Sequence, residues 1–140
     1  MTNIHYRAVS WDEEKDQLRS IRTRVFIEEQ HVPIELEWDD ADKDAQHYLV
    51  SLNEAPIACA RMLPSGQIGR MAVLPPYRNN GIGGNLLKKI IQVAQAQGST
   101  PLFLHAQNHA IPFYEKFGFS IQGEEFMDAG IPHHEMIYRK

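Results

Sequence analysis

Arg78-Asn79-Asn80-Gly81-Ile82-Gly83-Gly84 carries the most specific chemistry in the sequence. Its glycines leave the loop almost without side-chain bulk. From Ile82 the apolar residues fall at 82, 86, 87, 90, 91 and 94, which is helical spacing. A glycine loop that opens into a helix leaves several backbone N–H groups unpaired, with the positive end of the helix dipole behind them. That is an anion site built largely from backbone, and phosphate or pyrophosphate is its natural guest. Arg78 stands at the loop mouth, where phosphate charge would arrive. A Walker A loop needs a Lys and a Ser/Thr that are missing here. A dinucleotide fingerprint needs a GxGxxG spacing that Gly81-Ile82-Gly83-Gly84 does not provide.

The other reactive residue types are less specific. Cys59, the single cysteine, sits in an apolar stretch and has no partner for an internal disulfide. It reads as a small buried residue with no activating neighbour, and not as a nucleophile. Of the seven histidines, His133 and His134 are adjacent and point to opposite faces of any strand. No HExxH motif occurs, so no metal is expected. The acidic run over residues 35–44 is either an attraction for a cationic ligand or a solvated loop.

These residues must be positioned by one domain, since 140 residues suffice for a single core. A net charge of −4 argues against nucleic acid as the main partner. No apolar run approaches the roughly 20 residues that span a bilayer, and the polar N-terminus does not look like a signal peptide. A cytoplasmic protein, without membrane attachment, is the expectation.

Residues 4–9 alternate as a strand, and Ser10 or Asp12 caps a helix over about 11–25. Pro33 breaks residues 26–38 into a surface segment with a short helix and a loop. Strands are expected at 46–52, 57–63 and 67–74, joined by turns at 53–56 and 64–66. This antiparallel meander feeds the glycine loop. The following helix ends at Gly98, and a strand at 102–106 comes next. A short helix over 110–117, a strand at 119–126, a turn at 129–132 and a closing strand at 133–139 complete the chain. A meander followed by β-α-β crossovers predicts an α+β fold: a mixed sheet with helices on both faces.

The loop resembles the [QR]xxGxG/A element of the GCN5-related N-acetyltransferase (GNAT) superfamily, which holds the pyrophosphate of acetyl-CoA. Ala110-Ile111-Pro112-Phe113-Tyr114-Glu115-Lys116-Phe117-Gly118-Phe119 resembles the second signature of that family, and the order of elements matches along nearly the whole chain. Within the superfamily, Arg24-Val25-Phe26-Ile27-Glu28-Glu29-Gln30, Asp44-Ala45-Gln46-His47 and His105-Ala106-Gln107 are similar to the ElaA/YjcF-type small bacterial acetyltransferases. The ending, Gly123-Glu124-Glu125-Phe126 with Gly130-Ile131-Pro132-His133, adds to that similarity.

The resemblance implies acetyl-CoA as cosubstrate, with the loop residues Arg78, Asn79, Asn80, Gly81, Ile82, Gly83 and Gly84 on its pyrophosphate. Met71, Ala72 and Val73 would pair with the pantetheine arm, and the N–H of Val73 or Met71 would meet the thioester oxygen, provided the strand splays from its neighbour. Tyr114 takes the place of the family's proton donor to the leaving thiolate, or is a core aromatic. The family's asparagine seven residues before that tyrosine falls on Gln107, with Asn108 one place later. Either contacts the cofactor, and Asn108 can instead cap the helix.

Acetyl transfer also needs a base for the amine. Some members place a glutamate where this chain has Gly69. Glu28, Glu29, His105 and His134 are the alternatives, alongside structural roles for each, a water relay, or an amine that arrives neutral. Direct transfer to a small-molecule primary amine by a monomer or homodimer is the expected activity. A non-catalytic acyl-CoA-binding module and a protein lysine or N-terminal acetyltransferase are its rivals.

Overall fold

A computed structural model describes residues 3–98 and 101–139; the first two residues of the N-terminal stretch read above lie outside them. The order is β1 (Ile4–Val9), α1 (Trp11–Arg22), α2 (Ile34–Glu37), β2 (Gln46–Leu52), β3 (Ala55–Met62), β4 (Gln67–Val73), α3 (Ile82–Gln97), β5 (Phe103–Gln107), α4 (Ile111–Glu115), β6 (Phe119–Ile121), β7 (Phe126–Asp128) and β8 (Ile131–Tyr138). The sheet runs β1-β2-β3-β4-β5-β8-β6, with β7 also on β8. Among the described strands only the β4–β5 pair is parallel, so the sheet is mixed as the pattern requires.

Strand alternation splits the core. Tyr48, Val50 and Ala58 face α3, whose Ile82, Leu86, Leu87, Ile90, Ile91 and Ala94 are all buried. Leu49, Cys59 and Ala72 face the other way, against Leu18, Ile21 and Val25. Helices therefore cover both faces. Ser10 caps α1, accepting from the Glu13 N–H at 3.2 Å and donating to the Glu13 carboxylate at 3.0 Å.

Several boundaries differ from the sequence pattern. The first helix does not stop near residue 25: it continues as a π-helical turn over Thr23–Glu29. The β2–β3 turn is shorter than expected. Asn53 and Glu54, both at positive φ, suffice, and Pro56 lies within β3 opposite Ser51. The expected strand at 119–126 is two short strands, β6 and β7, both on β8. The hairpin into β8 turns on Ala129 and Gly130, with φ of 52° and 76°.

One irregularity decides the shape of the site. Cys59 pairs with Ala72 and Arg61 with Gly69, so Arg70 and Met71 together oppose Ala60. This is a β-bulge, and Arg70 sits in it at φ 50°. Beyond Gln67↔Phe103 and Ile68↔Leu104 the β4–β5 pairing stops, and the two strands part.

Candidate active site

The parting of β4 and β5 opens a cavity of about 340 Å³. Its walls come from the π-helical turn and α2 (Phe26, Gln30, Leu36, Glu37), from β4 (Gly69, Arg70, Met71), from β5 (His105, Gln107), from Tyr114, and from the β7–β8 hairpin (Asp128, Ile131). Leu74 N–H donates to the Ile57 carbonyl of β3 at 2.9 Å. Strand alternation therefore turns the Val73 N–H the other way, toward β5, where no ladder continues. The splay that the oxyanion reading requires is present.

The glycine loop lies beside this gap. No side chain caps α3, whose N-cap is Gly81 at φ 79°, a conformation suited to glycine. The first intrahelical bond runs from Asn85 N–H to the Gly81 carbonyl at 3.0 Å, so the N–H groups of residues 82–84 precede the ladder. Asn79 is left-handed at φ 65°, and the Asn80 amide donates to the Arg78 carbonyl at 3.2 Å. Gly84 has a second reason to be glycine: a Cβ there would stand 2.7 Å from Cζ of Phe117. Its small size serves the approach of Phe117 to α3.

Arg78 has a partner that the spacing did not reveal. Its Nη1 and Nη2 donate to the two Glu29 carboxylate oxygens at 2.7 Å each, and its Nε donates to the Val73 carbonyl at 2.8 Å. The Arg78 hydrogen bonds hold the Glu29 carboxyl below the usual carboxylate range. Glu29 is thus a poor base. Glu28 is exposed and is not among the cavity-lining residues. The chain turns it away because the π-helical turn directs Phe26 and Gln30 inward instead.

His105 does reach the cavity. It lies one residue beyond the last β4–β5 pair, across from Gly69, where a Cβ would meet nothing within 4 Å. Its Nε2 is 3.2 Å from Glu135 Oε1, and its Nδ1 is 3.4 Å from Gln67 Nε2. Phe126 stands edge-on to the ring at 5.0 Å. Tyr114 also lines the cavity; the only hydrogen-bond contact of its hydroxyl among the described residues is the weak one to Met71 Sδ at 3.9 Å. Burial pushes the phenol up to about 12, so it keeps its proton at neutral pH.

The structure separates Gln107 from Asn108. Gln107 lines the cavity and donates to Gln30 Oε1 at 2.9 Å. Asn108 points elsewhere: its amide donates to Glu125 at 2.8 Å, and its carbonyl oxygen lies 2.8 Å from His134 Nδ1. His134 is thereby drawn away from the cavity too. Cys59 is buried, with its thiol pushed up to about 12 by desolvation, which suits a packing residue and not an acyl carrier. Among the described residues no His/Cys/Asp/Glu group could hold a metal ion.

Three carboxylates of the acidic run, Glu37, Asp39 and Asp42, are not free to attract a ligand. Glu37 and Asp42 are buried and take hydrogen bonds from Arg22 at 2.7 and 2.8 Å. Arg61 bridges Asp39 and Asp42, each at 2.8 Å, and Arg70 reaches Glu37 and Asp39 at 3.2 and 3.3 Å. Three arginines therefore neutralise three carboxylates, and Trp38 lies under Arg19 and Arg22. Sequence reasoning missed Gln30, Gln67, Arg70 and Glu135. Glu135 was within reach only through the β5–β8 register, which sets it directly opposite His105.

A helix N-terminus aimed at a gap between two parted parallel strands, with a half-buried tyrosine beside it, defines the acyl-CoA N-acyltransferase fold. The family model "Acetyltransferase (GNAT) domain" matches residues 9–140, and the chain belongs to this family. It is 37% identical over 121 residues to the uncharacterized N-acetyltransferase YjcF of Bacillus subtilis, covering 84% of this chain and 86% of that one. The crystal structure of Escherichia coli ElaA superposes with a TM-score of 0.89 at 28% identity, over 98% of this chain and all of the other. Arabidopsis thaliana Naa50, in complex with the bisubstrate analogue CoA-Ac-MVNAL, shares the fold at 24% identity and a TM-score of 0.78, over 98% of this chain and 99% of Naa50.

Proposed function

We propose that the chain is an acetyl-CoA-dependent N-acetyltransferase that passes the acetyl group directly to a small-molecule primary amine. The observation that carries the reading is the parted β4–β5 gap, which joins an uncapped helix N-terminus to a cavity lined by both Tyr114 and His105. Acetyl-CoA supplies an activated thioester. The N–H groups of residues 81–84 take its pyrophosphate charge, with Asn79 and Asn80 shaping the loop and Arg78 at its mouth. Met71, Ala72 and Val73 offer the open edge of β4 to the pantetheine arm, and Gln107 adds an amide from β5. The Val73 N–H faces the oxygen that gains charge during transfer. His105 takes the proton from the amine, and the Tyr114 hydroxyl donates to the departing sulfur. A cavity of about 340 Å³ is of a size for a small acceptor.

A peptide or protein amine is the second reading. Ile34, Leu36 and Met127 are exposed by 58, 54 and 61%, and Leu36 is itself part of the cavity wall. Such an apolar rim suits a larger acceptor. Thiol release from acetyl-CoA, measured across a panel of small amines and N-terminal peptides, tests both. Turnover with small amines supports the first reading, and turnover with peptides alone supports the second. Acetyl-CoA binding without any acceptor-dependent thiol release overturns both in favour of a non-catalytic acyl-CoA-binding module.

A further inference from the structure

We infer that Glu135 is the positioning residue of this site: it holds His105 in the Nε2–H tautomer, so that the Nδ1 lone pair is presented as the proton acceptor. The inference rests on the acetyltransferase reading only for its catalytic consequence; the tautomer stands on geometry alone.

Two contacts fix it. A carboxylate is an acceptor only, so Glu135 Oε1, 3.2 Å from His105 Nε2, requires the proton to be on that nitrogen. The Gln67 amide nitrogen is a donor only, so at 3.4 Å from Nδ1 it requires a lone pair there. Two neighbours on different strands thus demand the same tautomer. Glu135 is itself held: its Oε2 accepts from Gln122 Nε2 at 3.1 Å, and its backbone carbonyl accepts from the Gln122 N–H at 2.9 Å. Edge-on packing of Phe126 limits rotation of the imidazole. The Gln67 contact is long, and an incoming amine displaces it easily.

The register explains why the pair is placed here. His105 and Glu135 are direct cross-strand partners of β5 and β8, so both side chains leave the same face of the sheet. Leu104 and Ala106 turn to the α3 side, which puts His105 on the opposite face, at the apex of the gap. Gly69 leaves the facing position on β4 empty. In the step, the amine N–H bond breaks toward Nδ1, the new C–N bond forms, and the C–S electron pair leaves with sulfur. The imidazolium that results is stabilised by the Glu135 carboxylate and returns its proton to solvent.

The test uses the full chain with Glu135→Leu, Glu135→Gln and Glu135→Asp. Long-range 1H–15N correlation of the His105 ring should show a protonated Nε2 and a bare Nδ1 in the wild type, and a tautomer mixture in Glu135→Leu. A protonated Nδ1 in the wild type, or an unchanged ring spectrum in a folded Glu135→Leu, overturns the inference whether or not any amine is turned over. Given turnover, kcat should fall about 10- to 100-fold in Glu135→Leu, with KM for acetyl-CoA unchanged. Glu135→Gln, which keeps an acceptor oxygen, and Glu135→Asp should recover part of it. A rise in KM for acetyl-CoA at constant kcat overturns the positioning role. Absence of turnover with every acceptor in the wild type counts against the enzyme reading and leaves the tautomer result to decide this one.

Discussion

Replacing Tyr114 by Phe removes one oxygen at the point where the leaving sulfur is expected. The stability cost is small, because that hydroxyl's one contact among the described residues is the weak bond to Met71 Sδ at 3.9 Å. Loss of so poor a bond costs under about 1 kcal/mol. The catalytic cost is larger and can be bounded. A phenol held at about 12 is a much weaker acid than an ordinary thiol. Complete proton transfer to the thiolate therefore runs uphill by roughly 5 kcal/mol. Tyr114 should act mainly as a hydrogen-bond donor to developing negative charge. Removing one such donor typically costs about 3–4 kcal/mol, or roughly 10²- to 10³-fold in kcat. The assay is steady-state thiol release at saturating acetyl-CoA, paired with thermal unfolding of the same preparations. The expected result is that fall in kcat with a melting temperature within a few degrees of the wild type. A second expectation concerns pH: because the phenol keeps its proton up to about 12, Tyr114 adds no alkaline limb to kcat below about pH 10. Activity within threefold of the wild type, or loss only in proportion to unfolding, refutes the assignment.

Other perturbations separate the elements of the site. Glu29→Gln removes the anion that Arg78 now grips; the pair is more than a third exposed, so stability should change by under about 1 kcal/mol. Calorimetric titration should then show tighter binding of coenzyme A, and weaker binding in Arg78→Ala. Arg22→Met leaves Glu37 and Asp42 buried beside a missing charge, and denaturant unfolding should report a loss of about 3–5 kcal/mol. Gly69→Glu puts a carboxylate into open space across from His105, and should restore part of the activity lost in His105→Ala, as measured by thiol release. Burial raises Tyr48, Tyr114 and Cys59 to about 12 in the folded state. Their contribution is complete below their unfolded values, near 9 to 10, and is lost as pH rises toward 12. Tyrosine absorbance should accordingly show Tyr48 and Tyr114 ionising only together with the loss of far-ultraviolet circular dichroism.

Short-range physics was enough for much of this protein. The spacing of Ile82, Leu86, Leu87, Ile90, Ile91 and Ala94 is a local property of one helix, and all six are buried. The glycine loop could be read as an anion site because its donors are backbone N–H groups, whose direction follows from the chain itself. The motif around Tyr114 named the cosubstrate by resemblance, and the meander was visible in its turns. What remained hidden depends on pairing across the sheet. Nothing local marks Arg70 as the bulge residue that parts β4 from β5, since a bulge exists only relative to the strand opposite. Acidic residues 37, 39 and 42 read equally as solvated or attractive until Arg22, Arg61 and Arg70, from three other segments, were brought onto them. Glu28 and Glu29 were indistinguishable as sequence, and only the π-helical turn sends one into solvent and the other to Arg78. His105 and His134 were equal candidates as a base until the β5–β8 register set Glu135 behind His105. The sequence determined a backbone anion site at a helix N-terminus; tertiary structure decided which side chains share the cavity beside it, because those contacts join residues that are distant along the chain.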